Sequence, residues 1–555
     1  MVMTLTPSAE TTLRSRYYRR DEEGNITEDW RHLCMRVSGA IGETEEQKQT
    51  FYEAMVEGIF IPNTPTLMNA GTPLNQLAAC FVLPIGDSIE SIYKAISDTA
   101  LIQKTGGGTG FSFSALRPRG DIVHATQGVA SGPISFLRVF DASTGEIKQG
   151  GKRRGANMAV MSASHPDIFE FIECKDRENT AITNFNISIW ATDDFMDAVI
   201  NDRHWALINP RTNEVVREVS ARSIFDRAVE KAWETGDPGI IFADTMEKGN
   251  PTPWIGKYEA TNPCAEQPLL PYEACVLGSI DLSKLVADPE PAAMSVIDRS
   301  ALERCVRLAV RFLDRCIDVQ IYVLPEIEQM HKDGNRKIGL GIMGWADVLS
   351  KIGIRYGSDE SLELARSTMK LIQEVAHDES QKIGQQEPFP NYIAGTYSPD
   401  KSNYFPTDHQ YAQRRRNATV TTIAPTGTIS IIAGCSSGIE PHFALATRRE
   451  NVLDGQTLVD FNPVLKKILD NSIPVDDDHK YWNHVSLTKF VEDFGYIPDT
   501  APQSLRDAFP TVRDLTVEDH LQMQKAFQEF TDNGVSKTIN LPEEATVEDI
   551  RAAYM

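Results

Sequence analysis

Along most of this chain, short apolar runs alternate with longer segments of helical period, and that alternation limits the fold more than any other feature. AACFVLPIG has strand character followed by a turn, and SIESIYKAISDTALIQKTG then predicts a helix closed by glycine. SARSIFDRAVEKAWETGDPG predicts a second helix, which leads into the strand-like GIIFAD. ALERCVRLAVRFLDRCIDVQ and SDESLELARSTMKLIQEVAHDESQKIG are longer helices, and ATVTTIAPTGTISIIAG is β-rich. Strands separated by helices are joined by crossovers, so the pattern predicts an α/β fold with mostly parallel strands. The first 60 residues differ, being helical and charged, with the amphipathic EEQKQTFYEAMVEGIF ending at Pro62. At 555 residues the chain can bury a large core, and it shows no repeat, low-complexity tract or obvious linker.

The formal net charge of −23 argues against a partner held by its phosphate backbone, so no nucleic acid is expected. A small phosphorylated ligand is still compatible, because a cluster of backbone amides binds phosphate whatever the global charge. No run approaches the roughly 18 apolar residues that cross a bilayer. MVMTLTPSAETTLRSRYYRRDEEG lacks the apolar centre of a secretion signal, so a cytoplasmic enzyme is expected. Eight scattered cysteines without a CxxC make no disulfide framework; a cysteine that matters here matters as a thiol.

Two cysteine pairs share one spacing and have different meanings. Cys305 and Cys316 lie eleven residues apart in a helical pattern, on one face with Leu302, Leu308, Phe312 and Leu313. Buried cysteine behaves as a small hydrophobe, so this pair is assigned to core packing. Cys264 and Cys275 have the same separation in NPCAEQPLLPYEAC, where Pro263, Pro268 and Pro271 forbid a continuous helix. That segment must be a loop or an extended excursion, with Glu266 close enough to Cys264 to share its site. A buried loop thiol beside a surface glutamate would show the same spacing.

Other motifs are weaker alone. KTGGGTGFSFSAL could cradle a phosphate, but it lacks the GK[ST] ending of a P-loop and fits a glycine-rich turn equally well. APTGTIS offers Thr426, Thr428 and Ser430 around Gly427, a nest or a plain β-turn. KQGGKRRGANM sets Lys148, Lys152, Arg153 and Arg154 among glycines, which predicts a mobile anion-contacting loop. The eleven histidines form no HExxH, so no protein-ligated metal is expected, and no GxSxG supports a hydrolase triad.

Taken in order, NTPTLMNAGTPLNQLAACFVLP, DSIESIYKAI, KTGGGTGFSFSALRPRGD, GGKRRGANMAV, HPDIFEFIECK, NPCAEQPLLPYEACVLGSIDL, GLGIMGWADVL, APTGTIS and SSGIEPHFA resemble the catalytic chain of ribonucleotide reductase. The NPCxEQPLLPYExC form is most similar to the class II, adenosylcobalamin-dependent branch, and the likeness runs from about residue 60 to 545. It implies a ten-stranded α/β barrel of two five-stranded parallel halves with a finger loop inside, residues 61–555, after a helical region over 1–60. It implies reduction of ribonucleotides, as diphosphates, to 2′-deoxyribonucleotides for DNA synthesis. Cys264 would carry a thiyl radical, Cys80 and Cys275 would be the redox pair that ends as a disulfide, Glu266 would exchange a proton with the 3′ hydroxyl, and Asn262 would hold it. Thr64, Ala79, Gly108 and the loop of Pro425, Thr426, Gly427, Thr428 and Ile429 match substrate-binding positions. Asp87, Arg117, Gln149 and Arg153 match the site for a deoxynucleotide or ATP effector and the loop that relays its state. A thioredoxin-type reductant and a homodimer complete the implied partners.

The chain departs from the family pattern at both ends. No N-terminal ATP-cone is expected before the core. The sequence stops before the last barrel strand expected after TVEDI, and before the cysteine-bearing tail. A C-terminal fragment from a second chain is therefore an expected partner. TVEDIRAAYM itself predicts a short helix capped by Thr546 and Asp549, with Val547, Ile550 and Tyr554 on one face. Two alternatives stand beside the main reading: a class I large subunit that takes its radical from a separate metal-containing subunit, and a non-catalytic nucleotide-binding fragment of a split reductase.

Overall fold

The computed structural model describes residues 2–123, 127–149, 153–175, 182–286, 297–392, 414–452, 456–470 and 484–555. Eight strands form its main sheet: β1 (Phe60–Pro62), β2 (Cys80–Val82), β3 (Gly108–Ser112), β4 (Asn157–Ser162), β5 (Phe185–Ala191), β6 (Gly239–Phe242), β7 (Ala274–Asp281) and β8 (Ile338–Met343). From β2 to β6 every neighbour is parallel, which makes one five-stranded half. β7 runs antiparallel to β2 and β1, and parallel to β8. Parallel bridges from Leu340 to Thr421 and from Ile423 to Val535 continue that second half. Two parallel half-sheets meeting antiparallel at β2 and β7 give the expected α/β barrel.

Burial explains the strand sequences. β7 and β8 are buried at every position, as strands with both faces covered must be, and apart from Ser279 and Asp281 near the end of β7 they read as apolar runs without alternation. The helix Arg299–Val319 packs across both, with Asp298 capping the Ala301 amide. Its buried face holds Leu302, Cys305, Phe312, Leu313 and Cys316, so that cysteine pair is packing, as its phase predicts. Helices Pro7–Arg16, Trp30–Ile41 and Glu45–Val56, capped by Thr6, Asp29 and Thr44, precede β1.

Two regions depart from local expectation. The β-rich run ATVTTIAPTGTISIIAG is extended only in its first half; Gly427–Ala433 is a helix, bounded by Thr426 and Gly434 at positive φ. Ile429 and Ile432 are buried there, and such packing outweighs the few tenths of a kcal/mol by which β-branched residues disfavour a helix. Residues from Leu445 to Phe509 build a small separate core, which the sequence pattern does not announce. The helix Val547–Tyr554 forms with the predicted Thr546–Asp549 capping box and turns Val547, Ile550 and Tyr554 inward. It docks on the helix Ala221–Thr235 through an Arg551–Asp226 ion pair, and Tyr554 Oη donates to the Pro238 carbonyl at 2.8 Å.

Candidate active site

Residues 262–267 link a two-residue antiparallel pair, Ala260–Thr261 with Pro268–Leu269, and project between the two half-sheets. Both halves grip this loop. From the first, Asn186 Nδ2 donates to the Pro263 carbonyl at 2.7 Å. From the second, Thr422 Oγ1 and the Gly534 amide donate to the Glu266 carbonyl at 2.9 and 2.8 Å. The approach requires missing side chains: a Cβ on Gly110 would lie 1.7 Å from the Thr261 carbonyl oxygen, and one on Gly534 would lie 2.8 Å from that of Ala265. Ala265 adopts φ +64° in the turn, and Asn262 Oδ1 closes it by accepting from the Gln267 amide at 3.0 Å. The three prolines do exclude a helix, and the segment is a finger inside the barrel.

The register of the sheet brings two distant cysteines face to face. Cys80 and Cys275 are directly opposed across the antiparallel pair of β2 and β7. Opposed residues there have Cα atoms about 4.5–5.5 Å apart, within the range that a disulfide spans. Both are thiols in the structure. Asn262 Nδ2 stands 3.1 Å from Cys80 Sγ, tying the finger to the pair. Cys264, at the finger's tip, is exposed, whereas Cys80 and Cys275 are buried.

These groups surround one cavity of about 310 Å³. Cys80, Asn262, Cys264 and Glu266 line it, as do Thr64, Ala79 and Gly108 and the whole Pro425–Ile429 loop. Cys275 is fully buried and does not line it. Tyr17, Asn63 and Ser279 are lining residues that the sequence did not signal; the Tyr17 and Thr64 hydroxyls share a hydrogen bond at 2.8 Å. Asp87 and Arg117 do not line this cavity. Arg117 Nε donates to both Asp87 carboxylate oxygens at 3.1 and 2.9 Å. The backbones of Gln149 and Arg153 pair in a two-residue hairpin, and Lys152 lies outside the described residues.

Electrostatics separate the roles these side chains can take. Burial pushes the Glu266 carboxyl up to about 7, only partly offset by a hydrogen bond from Asn262. Its buried Oε2 has no hydrogen-bond partner among the described residues, which leaves it available as a proton acceptor. Burial also raises the Cys80 and Cys275 thiols well above their ordinary value, the former further through Glu266. A dithiol that stays protonated, a carboxyl near neutrality and a reachable thiol on a rigid loop suit redox chemistry with proton exchange.

Residues 78–555 match the family described as ribonucleotide reductase, barrel domain, and residues 3–75 match ribonucleotide reductase, all-alpha domain. The chain belongs to the ribonucleotide reductase family. Among similar reductases is the vitamin B12-dependent ribonucleoside-diphosphate reductase of Thermoplasma acidophilum, 44% identical over 99% of this chain and 68% of that protein. The enzyme of the same name from Mycobacterium tuberculosis (strain CDC 1551 / Oshkosh) is 41% identical, covering 100% of this chain and 78% of its own. The ribonucleoside-diphosphate reductase large subunit of vaccinia virus is 28% identical over 93% of this chain and 71% of its own. No helix among the described residues is long and apolar enough to cross a membrane.

Proposed function

We propose that this reductase converts ribonucleoside diphosphates to 2′-deoxyribonucleotides through a thiyl radical on Cys264, with Cys80 and Cys275 supplying the electrons. One observation carries the reading: Cys80, directly opposed to Cys275, and the Cys264 finger tip line a single cavity. The Cys264 radical takes the 3′ hydrogen of the ribose. Glu266 takes the 3′-hydroxyl proton, with Asn262 holding the carboxylate, and the 2′ hydroxyl leaves as water after protonation by the pair. Two electrons and two protons come from the two thiols, which end joined as a disulfide, while Glu266 returns its proton to the 3′ oxygen and Cys264 its hydrogen atom to the 3′ carbon, regenerating the thiyl radical. Thr64, Ala79, Gly108 and the Pro425–Ile429 loop would seat the nucleotide, whose enclosure keeps the radical from side reactions.

Adenosylcobalamin is the proposed radical source, supported by the names of the similar reductases from Thermoplasma and Mycobacterium. The site fits such a group: Cys264 is exposed at the finger tip, where an external oxidant can reach it. When bound, the cofactor supplies a radical able to oxidise that thiol. The effector reading keeps Asp87, Arg117, Gln149 and Arg153, and a thioredoxin-type dithiol remains the proposed reductant. Residues 1–60 form the proposed helical region and 61–555 the barrel that carries the site. A second copy of the chain would cover Ile89, Tyr93 and Leu101, an exposed apolar stripe on the helix Ile89–Lys104, with Val139 on the adjoining helix Pro133–Glu146. A monomeric mass by sedimentation at micromolar concentration would exclude that dimer.

Reconstitution tests the function. Incubated with a ribonucleoside diphosphate, a small dithiol and adenosylcobalamin, the protein should form deoxynucleotide; formation without the cofactor would overturn the radical source. The pH profile tests Glu266. Its folded pKa is raised, so the carboxyl is protonated below about 7 and can accept a proton only above it. Turnover should therefore rise with pH through about 7, and Glu266→Gln should lose both that inflection and about 10²–10⁴-fold in rate.

A further inference from the structure

A row of aligned residues crosses three neighbouring strands. Cys80 on β2 faces Cys275 on β7. On the other side of β7 the parallel ladder pairs Val276 with Ile338, so Cys275 stands level with Lys337, the residue that enters β8. Residues level in a ladder point to the same face of the sheet. Lys337 is wholly buried, and its Nζ donates to Glu273 Oε2 at 2.7 Å and to Tyr258 Oη at 3.1 Å. Glu273 is held in turn by the Leu270 amide at 2.6 Å and by Asn335 Nδ2. A buried ion pair is often no more stabilising than apolar residues of the same volume, so stability alone does not account for this one.

Its position does. Cys80 lines the cavity and Cys275 does not, so a reductant reaching a Cys80–Cys275 disulfide meets the Cys80 sulfur, and Cys275 must be the sulfur that leaves. Burial makes Cys275 a poor leaving thiolate, and the charge of Lys337 is the strongest influence opposing that. We propose that Lys337, held by Glu273, is the positioning charge that lets Cys275 depart as a thiolate when a dithiol reopens the Cys80–Cys275 disulfide. This rests on the redox reading of that pair. A thiolate of the dithiol attacks Cys80 Sγ, the S–S bond breaks, and its electron pair leaves on Cys275 Sγ, which then takes a proton from water. The dithiol's second thiolate attacks its own sulfur in the mixed disulfide and releases Cys80, which is protonated likewise. Two electrons pass to the protein pair, and the dithiol becomes a disulfide.

The test compares reopening rate with equilibrium in the full chain. Wild type, Lys337→Met, Lys337→Arg and the double variant Lys337→Met/Glu273→Gln are oxidised with diamide, and the Cys80–Cys275 bond is identified by peptide mass spectrometry. Reopening by excess dithiothreitol should slow by about tenfold or more in Lys337→Met, since a higher leaving-group pKa slows exchange, and by a smaller factor in the double variant, which also removes the Glu273 charge that raises the Cys275 thiol. Lys337→Arg should recover much of the rate. The disulfide–dithiol equilibrium at pH 7 should shift by less than about twofold, because both thiols are protonated there and the charge acts only on the departing thiolate. The double variant buries no unpaired charge and so guards against misfolding of the single one. A double variant that reopens at the wild-type rate, or whose equilibrium shifts as much as its rate, would overturn the proposal for Lys337 alone. Absence of a Cys80–Cys275 disulfide in oxidised wild type would overturn the redox reading and the inference with it.

Discussion

Cys264→Ser should abolish deoxynucleotide formation in the reconstituted assay while leaving the fold intact. The substitution exchanges one small exposed side chain for another of nearly equal size at the tip of the finger. Surface exchanges of that kind usually alter stability by no more than about 0.5 kcal/mol, so the melting temperature should barely move. The chemical change is large, because an alcohol O–H bond is much stronger than a thiol S–H and will not yield its hydrogen to a carbon radical. We expect a rate loss of at least about 10⁴-fold, equivalent to ~5.5 kcal/mol of barrier. Two controls belong with it: diamide should still oxidise Cys80 and Cys275, which do not depend on the finger's sulfur, and tritium placed at the ribose 3′ position should show no exchange. Turnover that survived in Cys264→Ser would sink the radical assignment.

Gly110→Val should be nearly as damaging, although the residue bears no functional group. Its missing side chain is where the Thr261 carbonyl passes; a Cβ would sit 1.7 Å from that oxygen and 2.8 Å from its carbon. Both are backbone atoms, so no rotamer change relieves the clash, and the hairpin carrying Asn262, Cys264 and Glu266 must move outward. A displacement of about 1 Å at reacting groups typically costs about 10²-fold, and overpacking adds about 1–3 kcal/mol of destabilisation. We expect turnover to fall by that factor or more with nucleotide binding weakened less, since the Pro425–Ile429 loop lies outside the hairpin. Gly39→Ala is the matched control: it lies in the helix Trp30–Ile41 with nothing within 4 Å of the added methyl, and should be neutral or up to about 1 kcal/mol stabilising. Full turnover in Gly110→Val would show that the finger need not enter the barrel.

Much of the site can be read along the chain because its residues cluster in NPCAEQPLLPYEAC and APTGTIS, where family motifs assign them together. Tyr17, Asn63 and Ser279 escape that reading because each is an ordinary residue brought to the cavity by an element with its own structural purpose. Lys337 escapes it for a different reason. A lysine beside a strand looks like a surface charge, and only the register of β7 with β8 shows that it is buried level with Cys275. The run TGTISIIA misleads in the opposite sense, since its β-branched residues favour a strand and its surroundings impose a helix.

By itself the sequence determined whatever depends on neighbours along the chain: the alternation that demands a parallel α/β sheet, the helical phase that consigns Cys305 and Cys316 to the core, and the prolines that keep Cys264 and Cys275 off a helix. These are local consequences of backbone geometry and side-chain period. The tertiary structure alone decided which cysteines face each other, why glycine stands at 110 and 534, and why Glu266 titrates near neutrality. Strand register, close backbone approach and desolvation arise between segments remote in sequence, and no local pattern encodes them.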